Sequence, residues 1–463
     1  MKIFNTLSGR KEEFTPICGD KVNMYACGIT VSGEAHVGHA YQAIIYDIIR
    51  KYLVKKGYKV TYARNYTDVD DKIIAKSNET GIPADEYAAA MIENIDKEMH
   101  RLKVGEPDIW IKATDCIGDI ISFIEKLIGK GHAYPTDKGD VYFSVESFPA
   151  YGALSNRNLQ DAMEGVRIEN DESKRYPLDF ALWKSAKAGE PFWDSPWGKG
   201  RPGWHIECSC MNYKTFGESI DIHGGGRDLI FPHHENEIAQ TEALTGKKFV
   251  KYWIHNGLIK VNGQKMSKSL GNSLMLSDLL DEYSDETIKF ALLSTNYRAD
   301  INITDRLFSD AEKHLADFYS VFCAALSEGI EISGENPEID EKFNAAMDDD
   351  FNTALALSDL FGYFKTVRAK IAVKDVSAGS DLNQIKNTYS LLGLFNTDPK
   401  EFLDRVNAKK TEDIPEDIIR LAKKRAEARK NKDFKTSDLL RDEIANLGYE
   451  IKDSKDGYTI IKK

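Results

Sequence analysis

The sequence predicts an α/β protein built on a parallel sheet, with an insertion inside that domain, an all-α bundle after it and a small domain at the C-terminus. Three observations carry this. Over the first 300 residues short apolar runs alternate with amphipathic stretches, the pattern of strands feeding helices. The stretch from about 132 to 204 is rich in aromatic residues and proline and breaks that rhythm. From about Thr304 helical periodicity continues with almost no strand signal. Residues 1–300 therefore read as a Rossmann-like α/β domain with an insertion at 132–204, residues 301–404 as a helical bundle, and 405–463 as a C-terminal domain.

Each element has its own signal. VNMYACG (22–28) is a continuous apolar run, as a strand covered on both faces requires. Apolar residues at helical spacing follow from Val37 to Lys56. GYKVTYARNY (57–66) is rich in β-branched and aromatic residues and predicts a second strand. Pro83 opens a helix over 84–102, and further strands are expected at 219–223 and 252–259. FSDAEKHLADFYSVFCAALSEG (308–329) and Glu341–Leu394 carry the helical period, and a polar linker is expected near 405–414. Between Arg420 and Arg441 nine Lys or Arg stand against three Asp or Glu, on helical spacing. The end, GYEIKDSKDGYTIIKK, predicts a hairpin turning near Asp456-Gly457.

Composition narrows the function classes. With 62 basic and 74 acidic residues the net charge is −12, which argues against a generic polyanion binder but leaves room for one basic face. No window approaches the roughly 18 consecutive apolar residues of a membrane span, and MKIFNTLSGRKEEF lacks the features of a signal peptide. A cytoplasmic protein without membrane association is expected. Six cysteines are too sparse for a disulfide scaffold, so metal or catalytic use is the better reading of any that matter.

Two motifs point to phosphate chemistry. In CGITVSGEAHVGHA, His36, Gly38 and His39 follow a strand and open a helix, where backbone N–H groups and the helix dipole attract anions. Gly38 permits close approach, and the two imidazoles can donate to phosphate oxygens. By itself His-x-Gly-His equally suits two surface histidines at a helix start. Lys265-Met266-Ser267-Lys268-Ser269 lies in a polar, Gly-flanked stretch (VNGQKMSKSLGN) of the kind that forms mobile loops. Lysines spaced by three can fold over a triphosphate and neutralise the charge that develops as pyrophosphate leaves. A specified five-residue match arises by chance in about one chain in several thousand. His-x-Gly-His followed some 225 residues later by KMSKS resembles a class I aminoacyl-tRNA synthetase.

A third constellation concerns a metal. Cys27 ends the first strand, Cys208 lies in GRPGWHIECSCM, and His233 and Glu237 in FPHHENEIAQ share one helix face at i,i+4. Two thiolates, an imidazole and a carboxylate can hold Zn²⁺, with Glu the least usual member, but the spacing matches no zinc-finger template. Buried small cysteines and a helix-cap histidine are the alternative.

CGITV with His-x-Gly-His, GRPGWHIECS, FPHHENEIAQ, KMSKSLGN and DDDFNTALAL together resemble the cysteinyl-tRNA synthetase family, and the likeness runs from KIFNTL to the basic C-terminal helices. The resemblance implies zinc ligands at Cys27, Cys208, His233 and Glu237, with Cys210 the nearest competitor. It implies catalytic roles for His36, His39, Lys265 and Lys268, and ATP contacts from these, Gly38, Ser267 and Gly224, Gly225 and Gly226 of IDIHGGGRDLIF. Thr67 and Trp204 are implied in the amino-acid pocket. The expected activity is two-step: L-cysteine and ATP-Mg²⁺ give cysteinyl-adenylate, and tRNA(Cys) then accepts the cysteinyl group, read by the C-terminal domain as an anticodon-binding domain. A monomer with one Zn²⁺ is implied. NYTDVDDK (65–72) reads as a loop held by local Asp hydrogen bonds.

The chain also departs from the family pattern. Ser32 and Gly33 stand where Tyr followed by Asp or Asn is usual, Ala40 and Tyr41 where an Arg often follows the second histidine, and Arg227 where Ser is usual. Two rivals follow: a tRNA-independent ligase joining cysteine to a small amine, and a catalytically retired tRNA-binding paralogue. Intact KMSKS and His-x-Gly-His speak against the second, and the retained basic helices against the first.

Overall fold

A computed structural model of the protein describes residues 1–158, 173–266, 273–412, 415–431, 433–454 and 457–462. The chain forms two compact units, one comprising 1–311, 336–363 and 387–394, the other 312–335, 364–386 and 395–463. Among the described residues no helix is long and apolar enough to cross a membrane.

The first unit opens with an antiparallel hairpin, β1 (Lys2–Asn5) and β2 (Arg10–Glu13). There follow β3 (Lys21–Thr30), α1 (Val37–Lys55), β4 (Lys59–Thr67), α2 (Asp71–Thr80), α3 (Ala84–Arg101), β5 (Ile109–Lys112) and α4 (Ile117–Gly129). The insertion supplies β6 (Ala133–Pro135), β7 (Val141–Phe143), β8 (Phe180–Ser185) and β9 (Gly200–Pro202), paired in that order as a separate antiparallel sheet. After α5 (Trp204–Phe216) come β10 (Ile220–Gly226), α6 (Glu235–Thr245) and β11 (Val250–Asn256). A three-stranded sheet completes the unit: β12 (Ile259–Val261), β13 (Gln264–Lys265) and β14 (Ile301–Ile303).

The central sheet has the order β11-β10-β3-β4-β5, all parallel. The chain leaves β3 towards β4 and β5 and later returns to its other side as β10 and β11. A crevice therefore opens beside the C-terminal end of β3, where doubly wound sheets bind ligands. The MYAC run of β3 is buried on both faces, which is why it reads as continuously apolar. α1 buries Ile44, Ile45, Ile48 and Ile49 among thirteen of its nineteen residues.

Two expectations need correction. The strand expected over 252–259 stops at Asn256, because Gly257 presses its backbone against Ala299 and the chain re-pairs as β12. Of the polar linker expected near 405–414, residues 405–412 are the end of a helix, Pro399–Glu412, whose buried Phe402 and Val406 sit at i,i+4, and 413–414 lie outside the described residues. Two apolar residues in a charged run were too few to show the period. NYTDVDDK is the end of β4, a short loop and the start of α2, with Asp70 capping α2 and Asp68 accepting from Thr114 N–H at 3.1 Å.

DDDFNTALAL belongs to the first unit. Asp350 accepts from Phe4 N–H, the Tyr297 hydroxyl and Arg298 Nε, each at 2.8 Å, and its side chain is 1% exposed. Asp350→Ala leaves three donors without their acceptor, the Tyr297 hydroxyl fully buried and the other two partly so, so it is expected to destabilise the first unit by about 3 kcal/mol. Urea unfolding followed by tryptophan fluorescence measures this.

In the second unit Phe318 stacks on Phe364 at 4.3 Å and Tyr319 on Phe402 at 4.3 Å. The basic stretch is two helices, Glu416–Lys430 and Phe434–Asn446. They share a core of Ile418, Ala422 and Ile444 with Tyr449, Ile451 and Ile460 of the terminal hairpin, β15 (Tyr449–Ser454) and β16 (Gly457–Lys462). Ser454 pairs with Gly457, beside the expected turn; Asp456 lies outside the described residues.

Candidate active site

The crevice beside β3 is a cavity of about 610 Å³. It is lined by Cys27, Thr67, Trp204, Cys208 and His233, and also by His36, Gly38, His39 and Gly226. These residues are spread over two hundred positions of sequence, and the parallel sheet brings their strand ends together.

Cys27 sits where the β3–β4 register shifts, between Ala26 and Ile29. A bulge re-aims a strand locally, and here it falls on the residue that reaches the cavity floor. A Cβ on Gly28 would lie 1.5 Å from the Asn65 carbonyl oxygen, so only glycine permits this approach of β3 to β4. The Asn65 side-chain oxygen accepts from Gly28 N–H at 2.8 Å and from the Tyr25 hydroxyl at 2.9 Å.

Among the described residues two four-donor sets meet, each with all donor atoms within 4.8 Å: Cys27, Cys208, His233 and Glu237, and Cys27, His223, His234 and Glu237. The first is the set expected from the sequence. Its Cys27 and Cys208 sulfurs are 3.8 Å apart, Cys27 Sγ is 3.5 Å from Glu237 Oε1, and His233 Nε2 is 3.1 Å from the same oxygen. A tetrahedron with bonds of about 2.0–2.3 Å has edges of about 3.3–3.8 Å, so these separations suit a zinc-sized ion. Three of its members line the cavity, against only Cys27 of the second set. Cys210 is buried and belongs to neither.

The electrostatics fit a cation-binding floor. The hydrogen bond from Cys27 pulls the Cys208 thiol down to about 6, against burial, with His233 adding. Burial pushes Cys27 well up. Against burial, His223 and then His233 hold Glu237 down at about 2. Burial works to lower His233, but its bonds to Cys208 and Glu237 raise it to about 10.

Four histidines around this floor were not singled out in the sequence. His223 Nε2 meets Glu237 Oε2 at 2.9 Å, and His205 Nδ1 meets His233 Nδ1 at 2.9 Å. His234 Nε2 lies 3.3 Å from Cys27 Sγ, and its Nδ1 meets His255 Nε2 at 2.7 Å. His255 Nδ1 continues to the Thr6 hydroxyl at 2.8 Å. Burial lowers His205 and His234 well below the usual range and, with His223, lowers His255 to about 3. Neutral imidazoles of this kind orient ligands through their second nitrogen. Seven of the ten histidines lie at this site, a concentration that only the fold assembles.

At the helix end, His36 caps α1 and its Nδ1 accepts from Gly38 N–H at 3.1 Å and His39 N–H at 3.4 Å. Two of the amides expected to attract an anion are thus engaged, and the stacked rings of His36 and His39, 3.6 Å apart, line the cavity. Gly226 lines it too, but Gly224 and Gly225 are buried in β10 and not in the turn after it, with Tyr46 and Leu229 filling the space a side chain would take. Thr67 ends β4 and accepts from Asn65 Nδ2 at 3.3 Å; Trp204 opens α5 and stacks on His233 at 4.4 Å. Lys265 ends β13, paired with Lys260. Ser267 and Lys268 lie outside the described residues, while Met266 and Ser273 on either side both line the cavity. Ser32, Gly33 and Tyr41 are on its wall.

Residues 13–313 match the family model described as tRNA synthetases class I (C) catalytic domain, 342–396 the DALR domain, and 411–460 the cysteinyl-tRNA ligase anticodon binding domain. The chain is 47% identical to a cysteine–tRNA ligase of Syntrophotalea carbinolica, covering 99% of this chain and 98% of that one. It is 45% identical to one of Geobacter metallireducens, with 99% of each covered. In fold it resembles the Mycobacterium tuberculosis methionyl-tRNA synthetase in complex with methionyl-adenylate, with a TM-score of 0.59 at 14% identity over 84% of this chain and 94% of that one. The LeuRS-tRNA-LeuAMS ternary complex of Agrobacterium radiobacter K84 gives a TM-score of 0.57 at 12% identity over 84% and 87%. With all three of its family models matched and both relatives covered almost end to end, the chain belongs to the cysteinyl-tRNA synthetase family of class I enzymes.

Proposed function

We propose that this protein ligates L-cysteine to tRNA(Cys) through a cysteinyl-adenylate, acting as a cytoplasmic monomer. The observation that carries the reading is the meeting of Cys27, Cys208, His233 and Glu237 at the floor of the cavity whose wall bears His36 and His39. The four donors would hold Zn²⁺; when bound, it would take the substrate thiolate as a ligand, which a serine hydroxyl, a far weaker acid, would not supply. A site whose polar partner is left unsatisfied by the wrong substrate rejects it by about 10⁴–10⁵, so selection against serine needs no second, hydrolytic site.

Thr67 and Trp204 flank the same floor and would orient the amino acid so that its carboxylate meets the α-phosphorus of ATP-Mg²⁺. His36 and His39 would donate to phosphate oxygens, Gly38 and Gly226 would let the nucleotide approach the backbone, with Gly224 and Gly225 shaping the strand beneath. Lys265, Ser267 and Lys268 would neutralise the charge of the departing pyrophosphate. No side chain acts as a nucleophile; catalysis is placement and charge stabilisation. The division into 1–300, 301–404 and 405–463 assigns adenylate chemistry to the first part and anticodon contacts to the basic helices of the last.

The test is charging of unfractionated bacterial tRNA with labelled cysteine, ATP and zinc, with serine as the control. Cysteine-specific charging is the expected result. A folded, zinc-loaded protein that charges nothing would overturn the reading, and acyl transfer to small amines alone would replace it with the amine-ligase alternative.

A further inference from the structure

Two residues from separate elements, Tyr41 of α1 and Arg227 after β10, converge on one short segment, Tyr297–Asp300. The Tyr41 hydroxyl donates to the Tyr297 carbonyl at 3.0 Å, and Gly257 N–H donates to the same oxygen at 2.8 Å. Asp300 Oδ1 accepts from the Arg227 guanidinium and from Leu258 N–H, the latter at 3.0 Å. Asp300 Oδ2 pairs with Lys260 Nζ at 3.0 Å. Ile301 N–H returns a bond to the Leu258 carbonyl at 3.0 Å, and β14 continues beside β12. The fit is tight: a Cβ on Gly257 would lie 1.9 Å from the Ala299 carbonyl oxygen. Burial, with the Asp300 charge adding, pushes Tyr41 up, so its hydroxyl stays a donor.

What this segment holds is part of the cavity. Gly226 and Asp228, the neighbours of Arg227, line it, as do Gly257, Leu258 and Ile259. Lys260 pairs in register with Lys265, the first residue of KMSKS. An isolated ion pair as exposed as Arg227 would add little. Asp300 is different because one carboxylate joins three donors from two walls, the turn after β10 and the start of β12.

We propose that Tyr297–Asp300 is a positioning strap for the nucleotide side of the site, with Asp300 as its positioning residue and Tyr41 and Arg227 acting through it. This rests on the ATP-binding role proposed above. The strap holds the Gly257–Leu258 wall and, through Lys260, the β12–β13 pair.

Two readouts test it. Asp300→Ala should speed hydrogen exchange of the Leu258 amide by about tenfold or more, since that N–H loses its acceptor. In ATP–pyrophosphate exchange it should raise the KM for ATP by roughly fivefold and leave the KM for cysteine within about twofold. Asp300→Asn, which keeps an acceptor for Leu258, should recover most of both, and Arg227→Ala should show the same ATP selectivity at smaller size. Faster amide exchange with an unchanged ATP KM would overturn the positioning role, as would equal rises in both KM values; an unchanged Leu258 amide would overturn the strap itself. If the wild-type protein catalyses no exchange, the synthetase reading fails separately. Calorimetric ATP affinity then stands in for KM, and an Asp300→Ala protein binding ATP as well as wild type would refute the strap.

Discussion

Cys27→Ser or His233→Ala will raise the KM for cysteine on the order of 10²-fold or more, while the KM for ATP stays within about threefold. The asymmetry follows from the geometry. Both residues belong to the buried donor set, with Glu237 and the His223 and His205 rings behind it, whereas the imidazoles of His36 and His39 line the cavity from the start of α1. Serine keeps the size of Cys27 but offers an alcohol in place of a thiolate. Alanine at 233 removes one donor and leaves Glu237 Oε1 without its 3.1 Å partner. ATP–pyrophosphate exchange at varied cysteine and ATP, with zinc content measured on the same samples, makes the comparison. Parallel losses for both substrates would remove the metal from amino-acid recognition.

Lys268→Ala is expected to lower the kcat of adenylate formation by about 10²–10³-fold, the usual effect of deleting one preorganised charge-stabilising donor. Zinc content and cysteine affinity should be unchanged, because Lys268 is not one of the four Cys, His and Glu donors. The double variant with His39→Ala should fall less than the product of the single effects if both groups stabilise the same transition state. Rapid-quench measurement of a single turnover isolates the chemical step. A loss confined to the KM for ATP would make Lys268 a binding group only.

What the sequence disclosed followed from how local each signal was. β3, α1, β4 and α3 announced themselves through runs and periods inside one window. β5 (IWIK) is four residues long, half-buried and flanked by charge, too short for alternation to show. The β1–β2 hairpin gains its place from Asp350, some 345 residues away, which no window can see. At the site, the four metal donors were reached through family motifs and not through spacing, since they come from three separated segments. The four histidines behind them were missed because each looks like an ordinary buried residue until all are brought together. The start of α1 was legible as a place but not in its detail: His36 turns back on its own helix, which a helix-start pattern does not disclose.

The distance in sequence between the donors has a consequence for how the protein comes into being. Cys27 and Glu237 are 210 residues apart, with the whole antiparallel insertion between them. At synthesis speeds of about 5–20 residues per second, Cys27 leaves the ribosome roughly 10–40 s before Glu237. A metal could not be captured by the complete set until α6 had been made, about halfway along the chain. With a metal bound, such a four-way junction would tie ends of a loop as long as many whole domains, and closing a loop of that length removes more freedom from the unfolded chain than closing a short one. The ion that would choose the substrate would therefore also act as a long-range cross-link, and a cell short of zinc would make chains that are less firmly folded as well as less selective.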